Sequence, residues 1–225
     1  GMVYVDGVYH LFYQKYPYST GHGPIHWGHA VTKNLVHWEH KPIAIYPDEL
    51  GSAFSGSCVY DRNNTSGYGT ERHAPIIAIY TSHNNNTGLE QQSIAYSTDG
   101  GNHFEKSYLN PVIKNPGLSD FRDPKAFWNS KKECWSLVLA AYDRVQFYSS
   151  KDMKQWEKTG EFGLEENHAS GVFECPNLFP VHVDDKVLWV LLLSMTTTVE
   201  DGKSRTQYFI GDFDGETFRC TYPSD

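Results

Sequence analysis

A short polar turn motif recurs four times along the chain, and each copy is followed by an aromatic residue. The four copies are Thr32-Lys33-Asn34 before Trp38, Ser97-Thr98-Asp99 before Phe104, Ser149 to Asp152 before Trp156, and Asp212-Phe213-Asp214-Gly215 before Phe218. Ser97 follows Thr32 by 65 residues, and Ser149 follows Ser97 by 52. Such spacing between β-rich segments is typical of a β-propeller, whose blades repeat one four-stranded sheet around an axis. Residues at the same phase of each repeat are therefore expected to meet near that axis.

The segments between these turns read as short strands. Candidate strands cover residues 8–13, 76–80, 93–96, 135–140, 145–148, 187–193 and 207–211. Clusters of Gly, Asn, Asp and Pro separate them, and no stretch has a convincing 3.6-residue periodicity. Aromatic residues make up 15% of the chain, which suits sheets packed on sheets. The sequence predicts one all-β domain over residues 1–225.

Charge and cysteine content narrow the classes of partner. The formal net charge of −8 disfavours nucleic acid and anionic membranes, which bind cationic faces, and is compatible with a neutral, hydroxyl-rich ligand. The longest apolar run, 187–193, is too short to span a bilayer. Four scattered cysteines form neither a disulfide framework nor a Cys-x-x-Cys zinc pattern. Sequons at Asn63, Asn64 and Asn85 favour a secreted protein, with a cytoplasmic location left open.

Three further motifs precede the second, third and fourth turns. They are Phe54-Ser55-Gly56-Ser57, Phe121-Arg122-Asp123-Pro124 and Phe173-Glu174-Cys175-Pro176. Each is expected on the innermost strand of its blade. Asp123 and Glu174 lie 51 residues apart, about one blade, so both carboxylates are predicted to point into one central pocket. The alternative for Asp123 is a structural salt bridge with Arg122. Glu174 stands among apolar residues, where a carboxylate must be paired or protonated, and this suits a general acid.

Two other groups of residues admit competing interpretations. His22, His26 and His29 suggest a metal site, but their spacing does not place all three on one strand face, so no metal is predicted. Trp27 fits either the core or a sugar-stacking platform, and its polar neighbours favour the pocket. No cofactor is implied.

Taken together, the motifs resemble glycoside hydrolase family 32, which comprises invertases, inulinases, levanases and related fructan hydrolases. The matching residues are Phe12-Tyr13-Gln14, Trp27-Gly28-His29-Ala30, Phe54-Ser55-Gly56-Ser57, Phe121-Arg122-Asp123-Pro124, Glu174-Cys175-Pro176 and the run 207–215. The resemblance covers the whole chain in the same order. It implies a five-bladed β-propeller, of which this chain covers about four blades.

The resemblance also implies a chemistry and a role for each residue. Retaining glycosidases use two carboxyl groups about 5–5.5 Å apart, one as nucleophile and one as acid/base. Glu174 is expected to be the acid/base and Asp123 the stabiliser of the transition state, with Arg122 fixing the site. The residues expected to contact the fructosyl unit or shape its pocket are Gln14, Ser55, Phe54, Trp27 and, at the rim, His22. His22-Gly23 stands where the family often has Trp-Gly, so a weaker stacking surface is expected there.

The family's nucleophile is the aspartate of an Asn-Asp-Pro-Asn-Gly motif. Gly1 to Tyr4 look like the continuation of that motif, so the nucleophile is expected just upstream of Gly1. The last blade and any C-terminal β-sandwich are expected after Asp225. Residues 1–225 are accordingly expected to be an incomplete catalytic domain that is inactive and poorly soluble on its own.

Three functional hypotheses remain at this point. The leading one is a β-fructofuranosidase that releases terminal fructose from sucrose or from inulin- or levan-type fructans, needing only water and carboxyl groups. The second is another five-bladed glycosidase, arabinanase-like or sialidase-like, because residues 97–104 resemble the Asp box of sialidases. The third is a propeller that binds fructans without cleaving them.

Overall fold

The computed structural model describes residues 1–21, 23–163, 171–196 and 204–222. Within these residues, sixteen strands form four sheets of four strands each. In every sheet the strands follow chain order and neighbouring strands are antiparallel. Each sheet is one propeller blade, which confirms the predicted all-β architecture and the four blades expected from the turn motifs.

The strand bounds of the four blades are as follows. Blade 1 contains β1 (Met2–Val5), β2 (Val8–Lys15), β3 (His26–Thr32) and β4 (Glu39–Ile45), and blade 2 contains β5 (Ser52–Tyr60), β6 (Ile76–His83), β7 (Glu90–Ser97) and β8 (Glu105–Lys106). Blade 3 contains β9 (Phe121–Asn129), β10 (Cys134–Ala141), β11 (Arg144–Ser150) and β12 (Glu157–Phe162). Blade 4 contains β13 (Phe173–Val183), β14 (Lys186–Met195), β15 (Arg205–Phe213) and β16 (Phe218–Tyr222). All seven predicted strands lie within these bounds.

Apolar side chains fill the space between successive blades. Phe12 of blade 1 lies in one cluster with Tyr80 of blade 2. Ile79 of blade 2 shares a second cluster with Phe121 of blade 3, and Phe147 of blade 3 shares a third with Phe173 of blade 4. In blades 2 and 3 both faces of the second strand are covered, and β10 is buried at every position. Burying one large apolar side chain contributes about 1.5–3 kcal/mol, and these layers fix how each blade sits on the next.

The four repeated turns each connect the third strand of a blade to its fourth. In blade 2, Ser97 Oγ donates to Asp99 Oδ1 at 2.8 Å. Asp99 Oδ1 also accepts hydrogen bonds from the backbone N–H groups of Asn102 and His103, each at 3.0 Å. Asn34 Oδ1 and Asp152 Oδ1 accept from backbone N–H groups in the same way in blades 1 and 3. The turns are structural, because their polar side chains are used in closing the loop.

Three inner strands are interrupted at the same phase. In β5, β9 and β13 the pairing with the next strand shifts between Ala53 and Gly56, between Arg122 and Lys125, and between Glu174 and Asn177, so three steps on the inner strand face two on its partner. This is the geometry of a β-bulge, which leaves residues out of the ladder and redirects their side chains. Pro124 and Pro176 lie inside two of these bulges, where a missing N–H does no harm.

Among the described residues, no helix has the length and apolarity needed to cross a membrane.

Candidate active site

The bulges of β9 and β13 bring Asp123 and Glu174 to one place. Asp123 Oδ2 accepts a hydrogen bond from the backbone N–H of Cys175 at 2.9 Å and lies 3.6 Å from Cys175 Sγ. Arg122, one residue before Asp123, donates from Nη2 to Glu174 Oε1 at 2.9 Å. Asp123 and Cys175 both have positive φ angles, +65° and +47°, a conformation that is strained for residues with a side chain. Neighbouring blades thus present the two carboxylates together.

The Asp123 carboxylate is an almost buried acceptor. It is 7% exposed, and burial raises its pKa above the usual range. The N–H of Cys175 and the charge of Arg122 counteract that rise, while the nearby Glu174 carboxylate adds to it. A carboxylate in such a site forms strong hydrogen bonds with hydroxyl donors because little water competes for it.

Cys175 supports Asp123 from the neighbouring blade. Burial, together with the Asp123 carboxylate, raises the pKa of the Cys175 thiol to about 12. The thiol therefore stays protonated at neutral pH and can donate weakly to Asp123, as its backbone N–H does.

Arg122 is the cation of the site and contacts three carboxylates. Nη2 bonds Glu174, whereas Nη1 faces Asp120 and Glu90. Burial alone would lower the pKa of Arg122, but hydrogen bonds to Asp120 and Glu174 outweigh it and raise that pKa. Arg122 is thus a permanent positive charge, and its Nη2 holds one oxygen of the Glu174 carboxylate in place.

Two of the residues predicted to contact a sugar, Phe54 and Ser55, line neighbouring cavities. One cavity, of about 480 Å³, is lined by Phe54, His83, Glu90, Asp120, Arg122 and Glu174. The other, of about 190 Å³, includes Ser55, Asp123, Lys125 and Cys175 in its wall. Gln14 Nε2 donates to Ser55 Oγ at 2.6 Å, which joins blade 1 to the smaller cavity. Gln14, Phe54 and Ser55, three of the residues predicted to contact the sugar, are therefore grouped with the two carboxylates, and Arg122 lies between the carboxylates.

The structure places Trp27 in the core and not in the sugar pocket favoured by the sequence analysis. Its side chain is 1% exposed and packs with Phe12 and Tyr80, so the indole ring has no free face for a sugar. Its Nε1 donates to the backbone carbonyl of Phe54 at 2.8 Å. Trp27 is a core residue that supports the chain beneath Phe54, because the apolar ring gains more by packing between two aromatic rings than by facing water. His22 lies outside the described residues.

Three residues of this site escaped the sequence analysis, namely His83, Glu90 and Asp120. Asp120 could have been found from the sequence, since it stands in a polar turn two residues before Arg122. His83 and Glu90 end and begin consecutive strands, and nothing in their neighbours distinguishes them from surface residues. Within the described part of the chain, no group of three or more His, Cys, Asp or Glu side chains is arranged to hold a metal ion.

Comparison with known proteins agrees with the motifs. A family model described as the glycosyl hydrolases family 32 N-terminal domain matches residues 1–224. The chain belongs to glycosyl hydrolase family 32. This family 32 domain is 52% identical to a levanase of Bacillus subtilis, over 99% of the chain and 33% of the levanase. It is 42% identical to an invertase of Schizosaccharomyces pombe, over 97% of the chain and 39% of the invertase.

Solved structures of family members have the same fold. The exo-inulinase of Aspergillus awamori superposes with a TM-score of 0.90 at 36% identity, covering 100% of this chain and 50% of the exo-inulinase. A fructofuranosidase of Schwanniomyces occidentalis complexed with fructose superposes with a TM-score of 0.89 at 36% identity, covering 99% and 45%. The family 32 domain described here thus spans between a third and a half of the length of these relatives.

Proposed function

We propose that the protein containing this chain is a β-fructofuranosidase that releases terminal fructosyl residues from sucrose and from inulin- or levan-type fructans with retention of configuration. The observation that carries the proposal is the meeting of Asp123 and Glu174 across the bulges of neighbouring blades. Relatives named levanase, invertase and exo-inulinase support the same substrate class.

In this mechanism Glu174 protonates the leaving glycosidic oxygen and then removes a proton from the water that completes the reaction. Its side chain is about one-third exposed, so it can reach a bound substrate while Arg122 holds one carboxylate oxygen. Asp123 accepts hydrogen bonds from fructosyl hydroxyls, and these strengthen as positive charge develops on the sugar ring. The carboxylate nucleophile is expected from a segment outside residues 1–225.

Assays of the full-length protein on sucrose, inulin, levan and arabinan test the proposal. Fructose release, with β-fructose as the first product seen by proton NMR, is the expected result. Release of arabinose would favour the arabinanase-like alternative, and binding of fructans without turnover would favour a binding propeller. Either result would replace the proposed function.

Two substitutions test the assigned residues. Glu174→Gln is expected to lower kcat by about 10²–10⁴-fold, the usual scale of acid/base removal. Asp123→Asn is expected to lower kcat by about 10²–10³-fold, because a charged acceptor becomes neutral where charge develops. Glu216→Gln, whose carboxylate pairs with Lys132 on the surface at 3.0 Å, is the matched control and should retain full activity. Near-normal turnover in either active-site variant would contradict its role.

Secretion is the location we propose for the protein. Asn63 and Asn85 are exposed and stand in sequons, and the exo-inulinase relative from Aspergillus awamori is named extracellular. Detection of the protein in culture medium supports this, and its retention inside the cells would contradict it.

A further inference from the structure

We propose that Glu90 is a positioning residue that connects the acid/base Glu174 to the aromatic wall formed by Phe54. The inference rests on the proposed function and names a residue that acts through others, without touching the substrate. It is carried by a continuous set of contacts from Glu174 through Arg122, Glu90 and His83 to Phe54.

Glu90 is a buried charge with two partners. The residue is 5% exposed at the first position of β7. Its carboxylate accepts from Arg122 Nη1 at 3.3 and 3.4 Å and lies 3.2 Å from His83 Nδ1. A carboxylate so deeply buried is stable only when it is paired, so these contacts are required wherever Glu90 is charged.

On one side Glu90 sets the orientation of Arg122. The guanidinium is planar, so fixing one of its nitrogens fixes the direction of the other. Glu90 and Asp120 together hold Nη1, and this leaves Nη2 directed at Glu174. Without Glu90, Asp120 alone would hold Nη1, the guanidinium could turn about that single contact, and the Glu174 carboxylate would lose its fixed position.

On the other side Glu90 sets the ring of His83. His83 and Glu90 are directly opposite each other in the β6–β7 ladder, the position where cross-strand side chains interact most closely. The His83 ring lies parallel to that of Phe54, with centroids 4.2 Å apart and an interplanar angle of 4°. One carboxylate therefore holds both the group that orients the acid and the ring that backs the pocket wall.

The test uses two substrates that differ in their need for an acid. In full-length protein, Glu90→Gln keeps the shape of the side chain but removes its charge. On 1-kestose, whose leaving group is a sugar alkoxide, we expect kcat/KM to fall by about 10–100-fold, the scale of a misplaced catalytic group. On an aryl β-D-fructofuranoside, whose phenolate departs without a proton, we expect a fall of less than about threefold, because acid catalysis contributes little there.

A purely structural role would reduce kcat/KM equally on both substrates, and such a result would overturn the inference, as would no loss on either. Glu105→Gln is the matched control: Glu105 lies in the same blade and accepts from Tyr96 Oη at 3.0 Å, but it is exposed and distant from the site. It should leave both rates unchanged.

A second variant covers the case in which Glu90→Gln fails to fold. Glu90→Asp keeps the charge but draws the carboxylate back by one methylene, and it should show the same substrate split to a smaller degree. Equal loss on the two substrates would again overturn the inference. If the unsubstituted full-length protein cleaves neither substrate, the proposed function itself fails, and this result is visible before any variant is compared.

Discussion

A buried histidine pair in blade 1 should make the fold sensitive to acid. His10 and His29 are 5% and 2% exposed, and His10 Nδ1 lies 3.1 Å from His29 Nε2. The His29 ring also stacks on Phe12 with centroids 4.4 Å apart. Burial, followed by the charges of His10 and Lys41, lowers the pKa of His29 from 6.5 to about 4. Folding therefore keeps His29 neutral at pH values where the unfolded chain would bind a proton.

The size of the effect follows from the difference between the folded and unfolded pKa values. The unfolded state takes up a proton below about pH 6.5 and the folded state only below about pH 4, so stability is full above this window and falls as the pH is lowered through it. Between pH 7 and pH 4.5 the free energy of unfolding should lose about 2 kcal/mol from His29 alone.

Urea unfolding of the wild-type protein and of the His29→Gln variant, each at about pH 7 and about pH 4.5, measures the contribution of His29 to the free energy of unfolding. The glutamine cannot take up a proton, so the pH-dependent loss should be about 2 kcal/mol smaller in the variant. Contributions from titrating groups that do not contact His29 cancel in the difference between the two proteins, whereas His10, which does contact it, can respond to the substitution. His37→Gln, at an exposed position in the turn of the same blade, is the control and should keep the wild-type pH dependence. Equal pH dependence in His29→Gln and wild type would refute the reasoning.

Two substitutions in β5 test how this strand packs against blade 3 and against β6 of its own blade. Ser57→Ala should lower the free energy of unfolding by about 1–3 kcal/mol, because the buried Ser57 Oγ donates to the Pro124 carbonyl at 2.9 Å and accepts from the Ala126 N–H at 3.0 Å. A change below about 0.5 kcal/mol in urea unfolding would contradict this. Gly56→Ala should cost more, because a Cβ would meet the Ile79 carbonyl oxygen at 2.1 Å; a melting temperature equal to that of wild type would show that β5 can shift away.

The strand pattern and the phase of the chemical motifs could be predicted from sequence. Turn residues mark the join between third and fourth strands in every blade, because side-chain oxygens of Asn34, Asp99 and Asp152 close the same loop. Counting back from those turns places Asp123 and Glu174 on inner strands. Repetition makes this inference reliable, since each blade supplies an independent copy of the pattern.

The contacts within the site could not be predicted, because they depend on bulges. A regular strand alternates its side chains between two faces, and each bulge resets that alternation. Positive φ at Asp123 and Cys175 turns adjacent residues in directions that no count of positions gives. The prolines of the inner strands were the available signal, since Pro124 and Pro176 lie where the pairing with the next strand is interrupted. Trp27 was misjudged for a different reason: its polar neighbours His26 and His29 are themselves buried, so their polarity did not indicate an exposed surface.

The three bulges take four residues of the site out of the strand pairing, whereas Arg122 and Glu174 stay paired with the next strand. Phe54, Ser55, Asp123 and Cys175 lie at positions that are absent from the pairing of their strands with the next, while the residues on either side keep the sheet in register. Phe54 and Ser55 can therefore be exchanged without removing any residue from the pairing of β5 with β6, so the wall of the pocket is variable while the blade behind it stays in register.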